Sequence, residues 1–154
     1  MGPDLESLLD LAPAEREAAA AARTRIVAVL VVDMSGFSRI TDEERIVPAL
    51  LAIRDLQRIV MEEVAARGGA VVKFDADNAF CVLEDPVAAG DAAQAIVGRF
   101  PSSAGIGFGP VLFIDGDLFG GEVNRASKLG EDIAKAGEVL PTEAAQAAAP
   151  STFP

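Results

Sequence analysis

Apolar positions fall into two rhythms along this chain, and the switches between them mark out its elements. From Ile26 to Val32 no polar side chain intervenes, the pattern of a buried strand. Between about Arg45 and Ala66 the rhythm becomes helical, with Ile46, Leu50, Ile53, Leu56, Ile59, Val60 and Val64 recurring every three or four residues. Gly68-Gly69 closes that helix. Two short runs follow, Ala70 to Phe74 and Asn78 to Leu83, and the Asp75-Ala76-Asp77 between them predicts a β-hairpin with an acidic turn. Asp85-Pro86 starts a helix to about Arg99, so poor in polar residues that it must be well buried. Ala104 to Ile114 reads as a hairpin-like strand pair turning near Gly107 to Pro110, and Asp115-Gly116-Asp117 as a tight loop. Gly121 to Ile133 predicts a helix, with Gly137 ending its region. Glu138 to Leu140 is a last short strand, and residues 142–149 a terminal Ala-rich helix.

Ahead of the first strand, residues 4–23 read as helical, with Leu5, Leu8, Leu9 and Leu11 leading an Ala-rich, charged stretch. Pro13 either divides this region or starts a second helix at its first position. The segment is either a packed cap or an arm that meets a partner chain. The organisation expected is a helical arm over residues 1–24, one domain over 25–149, and a disordered tail over 150–154. No internal repeat is evident. The order β-α-β-β-α-β indicates an α+β sandwich, a mainly antiparallel sheet with helices on one face.

A length of 154 residues suits one domain with a respectable core. Hydrophobic residues make up 51% but aromatics only 5%, without Trp or Tyr, so Val, Ile, Leu, Ala and eight Phe must build that core. The net charge of −11, with no cluster of Lys or Arg, argues against nucleic acid or an anionic membrane as partner. A nucleotide stays open, because a local cation outweighs a distant field. The absence of histidine excludes His-based triads and His-rich zinc sites. Cys81, the one cysteine, lies in a strand and reads as a buried structural thiol. No signal peptide or membrane-spanning run is visible, and the chain is expected to be soluble and cytoplasmic.

Candidate chemistry begins where the first strand ends. Asp33 leaves the apolar run just ahead of a Gly36-Phe37-Ser38 turn, which sets a carboxylate beside free backbone N–H groups. The carboxylate can hold a hard cation such as Mg²⁺, and the N–H groups can take the phosphates that the cation carries. The plainer reading is a surface Asp before an ordinary turn. Asp77 sits at the tip of the central hairpin, next to the first strand in a β-α-β-β unit. Carboxylates at adjacent strand ends can hold two divalent cations, although Asp75 and Asp77 are also good turn residues. Lys73 by itself reads as a solvated strand-end charge and Asn124 as a helix-surface or capping residue. Lys128, Glu131 and Asp132 would together make one solvated face.

Four segments, V-V-D-M-S-G-F-S at 31–38, G-G-A-V-V-K-F-D-A-D at 68–77, G-I-G-F-G-P-V at 105–111 and G-D-L-F-G-G-E-V-N-R-A-S-K-L at 116–129, occur in an order that resembles the catalytic domain of the class III nucleotidyl cyclases, the adenylate and guanylate cyclases. The likeness runs from about Ile26 to Glu143 and implies the ferredoxin-like, cyclase-type sandwich. It implies that Asp33 and Asp77 bind the catalytic metals, Mg²⁺ or Mn²⁺ with Ca²⁺ also compatible, and that Met34 lends a backbone carbonyl. The amides of Gly36, Phe37 and Ser38 would bind the triphosphate, Lys73 would read adenine with Asp117 as its acidic partner, and Asn124 would orient the ribose. Because the family's site lies between two subunits, the resemblance also implies a homodimer acting on ATP.

The departures are equally specific. Lys128 stands where the family has its transition-state arginine, keeping the charge but losing the planar fork. Ala76 replaces the usual glycine before the second metal aspartate, and the family's C-terminal strands with their triphosphate-binding lysine are not found after Thr142. Two functions therefore compete: an adenylate cyclase working by two metals, and a non-catalytic cyclase-homology module that binds a cation or nucleotide and serves in signalling or dimerisation.

Overall fold

The unbroken apolar run becomes the middle of a six-stranded sheet. The computed structural model describes residues 4–35 and 46–153. Their elements are α1 (Leu5–Leu9), α2 (Pro13–Ala21), β1 (Thr24–Met34), α3 (Ile46–Ala65), β2 (Ala70–Asp75), β3 (Asn78–Leu83), α4 (Pro86–Arg99), β4 (Ser102–Ile114), β5 (Asp117–Phe119), α5 (Gly121–Lys128), β6 (Val139–Pro141) and α6 (Glu143–Ala148). β1 pairs antiparallel with β3 on one side and β4 on the other, giving the order β2-β3-β1-β4-β5, while β6 runs parallel to the start of β4. The sheet is thus mainly antiparallel, in an α+β architecture.

Strand periodicity divides β1 between two cores. Ala28, Leu30, Val32 and Met34 face α3 and α4, where Leu56, Val60, Val64, Ala92 and Ile96 close the larger core. Val27, Val29 and Val31 face the other way, onto Phe80, Val111, Leu118, Val123 and Ala126. The helices expected on one face of the sheet are α3 and α4, and the shorter α5 packs on the other face. Asp33 has the parity of Val29 and Val31, so it belongs to the α5 side. Cys81 is buried in the larger core, and burial pushes its thiol up to about 12.

Two narrower expectations need correction. Ser102–Ile114 is one continuous strand, not a hairpin turning at Gly107 to Pro110. Its glycines serve close approach instead: a Cβ at Gly105 would run into the Ala126 carbonyl oxygen, and one at Gly107 would lie 2.6 Å from that of Glu122. Alternate glycines let α5 lie almost on the strand. The true turn is Asp115-Gly116, with φ of 56° and 68°, a two-residue reversal of the kind that favours this pair.

Residues 150–153 are not a loose tail. Phe153 is 8% exposed within the larger core, its N–H bonds to the Ala149 carbonyl, and Gly90 leaves the space that Thr152 enters. In α3, Leu56, Ile59, Val60 and Val64 are buried as their spacing predicts, whereas Ile46 and Leu50 are 62% and 57% exposed.

Residues 4–23 form two short helices. Asp4 caps α1, Pro13 opens α2 as its first residue, and the Arg16 guanidinium donates to the carbonyls of Leu8, Leu9 and Leu11. The Leu5 N–H donates to the Asp115 carboxylate at 3.1 Å, tethering α1 to the β4–β5 turn. Among the described residues no helix is long and apolar enough to cross a membrane.

Candidate active site

Asp33 ends the buried part of β1 with Asn78 opposite it on β3 and Ser103 opposite it on β4. The β2–β3 turn consists of Ala76 and Asp77, and the Asp77 carbonyl accepts the Met34 N–H at 3.0 Å. That bond folds the turn over the strand end and brings the two carboxylates together. Ala76 takes φ of 52°, a left-handed conformation that glycine adopts without strain. Burial, the Asp77 charge and a hydrogen bond from Asp77 push the Asp33 carboxyl up to about 7, with Glu131 and Asp132 adding to the rise. Near neutral pH Asp33 therefore still holds a proton that a cation could replace.

Two acidic residues read as part of a solvated face bear on this pair. Glu131 is half-buried in a π turn, Leu129–Ile133, that continues α5 directly. Its carboxylate accepts from the Asn78 amide at 2.9 Å. Burial raises its pKa, and Asp132, Asp77 and Asp75 reinforce the rise against the lowering effect of Ser127. The oxygen end of the Asn78 amide, Oδ1, is buried without a hydrogen-bond partner among the described residues.

This donor set fits a hard divalent cation. Two hard carboxylates meet at one point, and Asn78, which pairs with Asp33 across the strands, has a buried amide oxygen with no partner among the described residues. Among the described residues no group of three or more His, Cys, Asp or Glu side chains forms a complete cage. A carboxylate pair is the number of protein ligands by which Mg²⁺ is commonly held, with water and substrate phosphates completing its shell. Met34 is buried beside the pair. Gly36, Phe37 and Ser38 lie outside the described residues.

Lys73 and Asp117 meet as an ion pair at 3.0 Å, each about one-third exposed. They stand on β2 and β5, at opposite ends of the strand order, where four flat inter-strand steps would separate them by about 19 Å. The sheet must therefore curl strongly, with the smaller core inside the curl. The Lys73 ammonium also lies 4.8 Å from the centre of the Phe80 ring. The Asp117 carboxyl is held below its usual range by the hydrogen bond from Lys73, then by the Leu118 N–H.

Asn124 and Lys128 lie four residues apart on α5, both exposed, and Lys128 forms no ion pair with Asp33 or Asp77. A cleft of about 620 Å³ opens beside Lys128, lined also by Arg125, Leu129, Ile133 and Thr142, away from the carboxylate pair. Glu122, buried at its floor, was not singled out by the sequence. It accepts hydrogen bonds from the Phe108 N–H at 3.0 Å, the Thr142 hydroxyl and Arg125. Burial pushes its carboxyl upward, but the Thr142, Phe108 and Arg125 donors outweigh it and hold the pKa below the usual value. The signal for Glu122 lay in the glycines of β4, since close approach by a helix demands something to fix its rotation.

No family model matches the chain. Uncharacterized proteins of Mycobacterium tuberculosis and Mycobacterium bovis are 32% identical to it in an alignment of 106 residues that covers 63% of this chain and 28% of theirs. The chain thus spans less than a third of the length of these curated relatives. Among solved structures, an adenylate/guanylate cyclase/hydrolase from Silicibacter pomeroyi is similar with a TM-score of 0.69 at 24% identity, over 80% of this chain and 79% of that one. A dimeric guanylyl cyclase domain of the RhoGC fusion protein from the fungus Blastocladiella emersonii gives a TM-score of 0.74 at 20% identity, over 83% and 85%. The adenylyl cyclase CyaB from P. aeruginosa gives 0.70 at 19% identity, over 83% and 82%. The fold of this chain is that of the adenylate and guanylate cyclase catalytic domains.

Proposed function

We propose that this chain is a class III cyclase domain of adenylate type, converting ATP to cyclic AMP and pyrophosphate at a site shared between two copies. The observation that carries the reading is the convergence of Asp33 with Asp77 and, on the same curled face, of Lys73 with Asp117. Divalent cations held at the carboxylate pair would lower the pKa of the ribose 3′-hydroxyl and neutralise the polyphosphate. Asp33 and Asp77 would hold and orient them. Lys73 can donate to the acceptor ring nitrogen of adenine while Asp117 accepts from the exocyclic amine; guanine presents the opposite pattern at those positions. Asn124 and Lys128, exposed on α5 and away from their own carboxylates, would serve the site of the partner copy. There Asn124 would orient the ribose, and Lys128 would offset charge at the α-phosphorus.

Lys128 in place of an arginine favours a second reading, a module that binds cation or nucleotide without turnover. Measuring cyclic AMP and cyclic GMP made from ATP and GTP with Mn²⁺ or Mg²⁺, for the wild type beside Asp33→Ala, separates the two. Cyclic AMP that disappears in the variant is the expected outcome. Folded wild-type protein that binds Mn²⁺ but forms no product would leave only the second reading.

A further inference from the structure

Asp33 has one cross-strand neighbour on each side, and both hold the same third segment. On β3, the Asn78 amide donates to Glu131; on β4, the Ser103 hydroxyl donates to the Gly130 carbonyl at 2.8 Å in a buried contact. Glu131 and Gly130 are adjacent residues of the π turn. That turn lies flush on the sheet beside Asp33, since a Cβ on Gly130 would stand 2.9 Å from both the Val31 carbonyl oxygen and the Gly105 nitrogen. Ser127, on the last turn of α5, lies against the same Glu131 carboxylate. A continuous path therefore leads from the Asp77 turn through Asn78 and Glu131 to the end of α5, where Lys128 sits.

The widened turn is what makes the path possible. π turns interrupt α-helices in short pieces and cluster at functional places. Here the interruption falls immediately after Lys128 and presents Gly130 and Glu131 to the two flanks of the carboxylate pair.

We infer that Glu131 is a positioning residue that ties the Asp33–Asp77 pair, through its hydrogen bond with Asn78, to the helix presenting Asn124 and Lys128. The inference rests on the proposed function. In a two-fold dimer with shared sites, each chain gives its carboxylates to one site and its α5 to the other. The Asn78–Glu131 contact then joins the two sites through the body of one chain. With a cation bound, Asp33 and Asp77 would no longer repel each other, and the Asp77 turn would draw in toward the strand end. Asn78 is the next residue and moves with it, and Glu131 carries the displacement into α5.

The test is hydrogen exchange over residues 121–133 with and without saturating Mn²⁺, Mn²⁺ binding being followed separately by electron paramagnetic resonance. Wild type, Glu131→Ala, Glu131→Gln and Glu131→Met are compared, the last filling the volume in case the alanine variant fails to fold. Mn²⁺ is expected to slow exchange over 121–128 in the wild type by about fivefold or more. Glu131→Ala and Glu131→Met should bind Mn²⁺ yet lose that slowing, whereas Glu131→Gln should keep it because its amide oxygen still accepts from Asn78. Slowing that persists in the alanine and methionine variants overturns the inference, as does its loss in Glu131→Gln. Variants unable to bind Mn²⁺ would make Glu131 a ligand and overturn it too. Wild-type protein that binds no Mn²⁺ would instead remove the cation reading itself, and this inference with it.

Discussion

Two carboxylates at the mouth of an apolar strand repel unless a proton or a cation lies between them. The Asp33 carboxyl, pushed from 3.8 to about 7 chiefly by burial, then by Asp77, makes that cost depend on pH. A raised acid pKa means that the folded chain keeps a proton which the unfolded chain has lost. The cost is absent below about 3.8, grows between 3.8 and 7, and is complete above 7. Asp33→Asn cannot ionise there and escapes it. In EDTA, the melting temperature of wild type minus that of Asp33→Asn should therefore fall as pH rises from about 4.5 to 7.5. Added Mn²⁺ should reverse the fall. A difference that stays flat across this window would show that Asp33 is ordinarily ionised in the fold. The position of Asp33 was legible because an apolar run feeding a turn is a local signal. The contact of Glu131 with Asn78 spans 53 residues, and nothing near Glu131 in the sequence marks it.

The same limit of local reading governs the elements. Gly105, Gly107 and Gly109 look like turn residues along the chain, yet they are alternate positions of one strand face beneath α5. Only their two-residue spacing distinguishes close approach from reversal, and it does so only once a helix is placed above them. Gly107→Ala should destabilise the fold by about 3 kcal/mol, because the added methyl meets helix backbone that cannot rotate aside. A methyl added at Gly98, in α4, would meet nothing within 4 Å, so Gly98→Ala should gain about 0.5 kcal/mol from helix propensity. Urea unfolding of the two variants beside wild type checks both signs. Equal stabilities would mean that α5 does not lie as close to β4 as these contacts require. The helical rhythm of α3 was likewise legible in period but not in extent. Spacing alone does not say that Ile46 and Leu50 lie on an exposed stretch while Leu56 to Val64 are covered. The Phe153 tail escaped for a related reason, since one aromatic after a Pro carries no periodic signal.

At the scale of the whole molecule, the adjacency of the first strand to the central hairpin was legible in the sequence pattern, but the curl of the sheet was not. That curl turns Lys73 and Asp117, on distant strands, into neighbours and leaves Asn124 and Lys128 facing outward on a separate helix. On the proposed function, one copy would hold two unlike half-sites, and a two-fold pairing would complete both. The consequence can be measured by mixing two defective chains. Asp33→Ala loses the carboxylate half and Asn124→Ala loses the helix half, so each alone should be nearly inactive. In a freely exchanging mixture about half of the dimers are mixed, and each mixed dimer regains one intact site of two. Activity per chain should therefore recover to about one quarter of the wild-type value, because no homodimer in the mixture has a complete site. Recovery requires that the halves come from different copies. If the chains exchange and activity stays at the level of the single variants, Asn124 acts in the same copy as Asp33, and the shared-site arrangement is wrong even for an active cyclase.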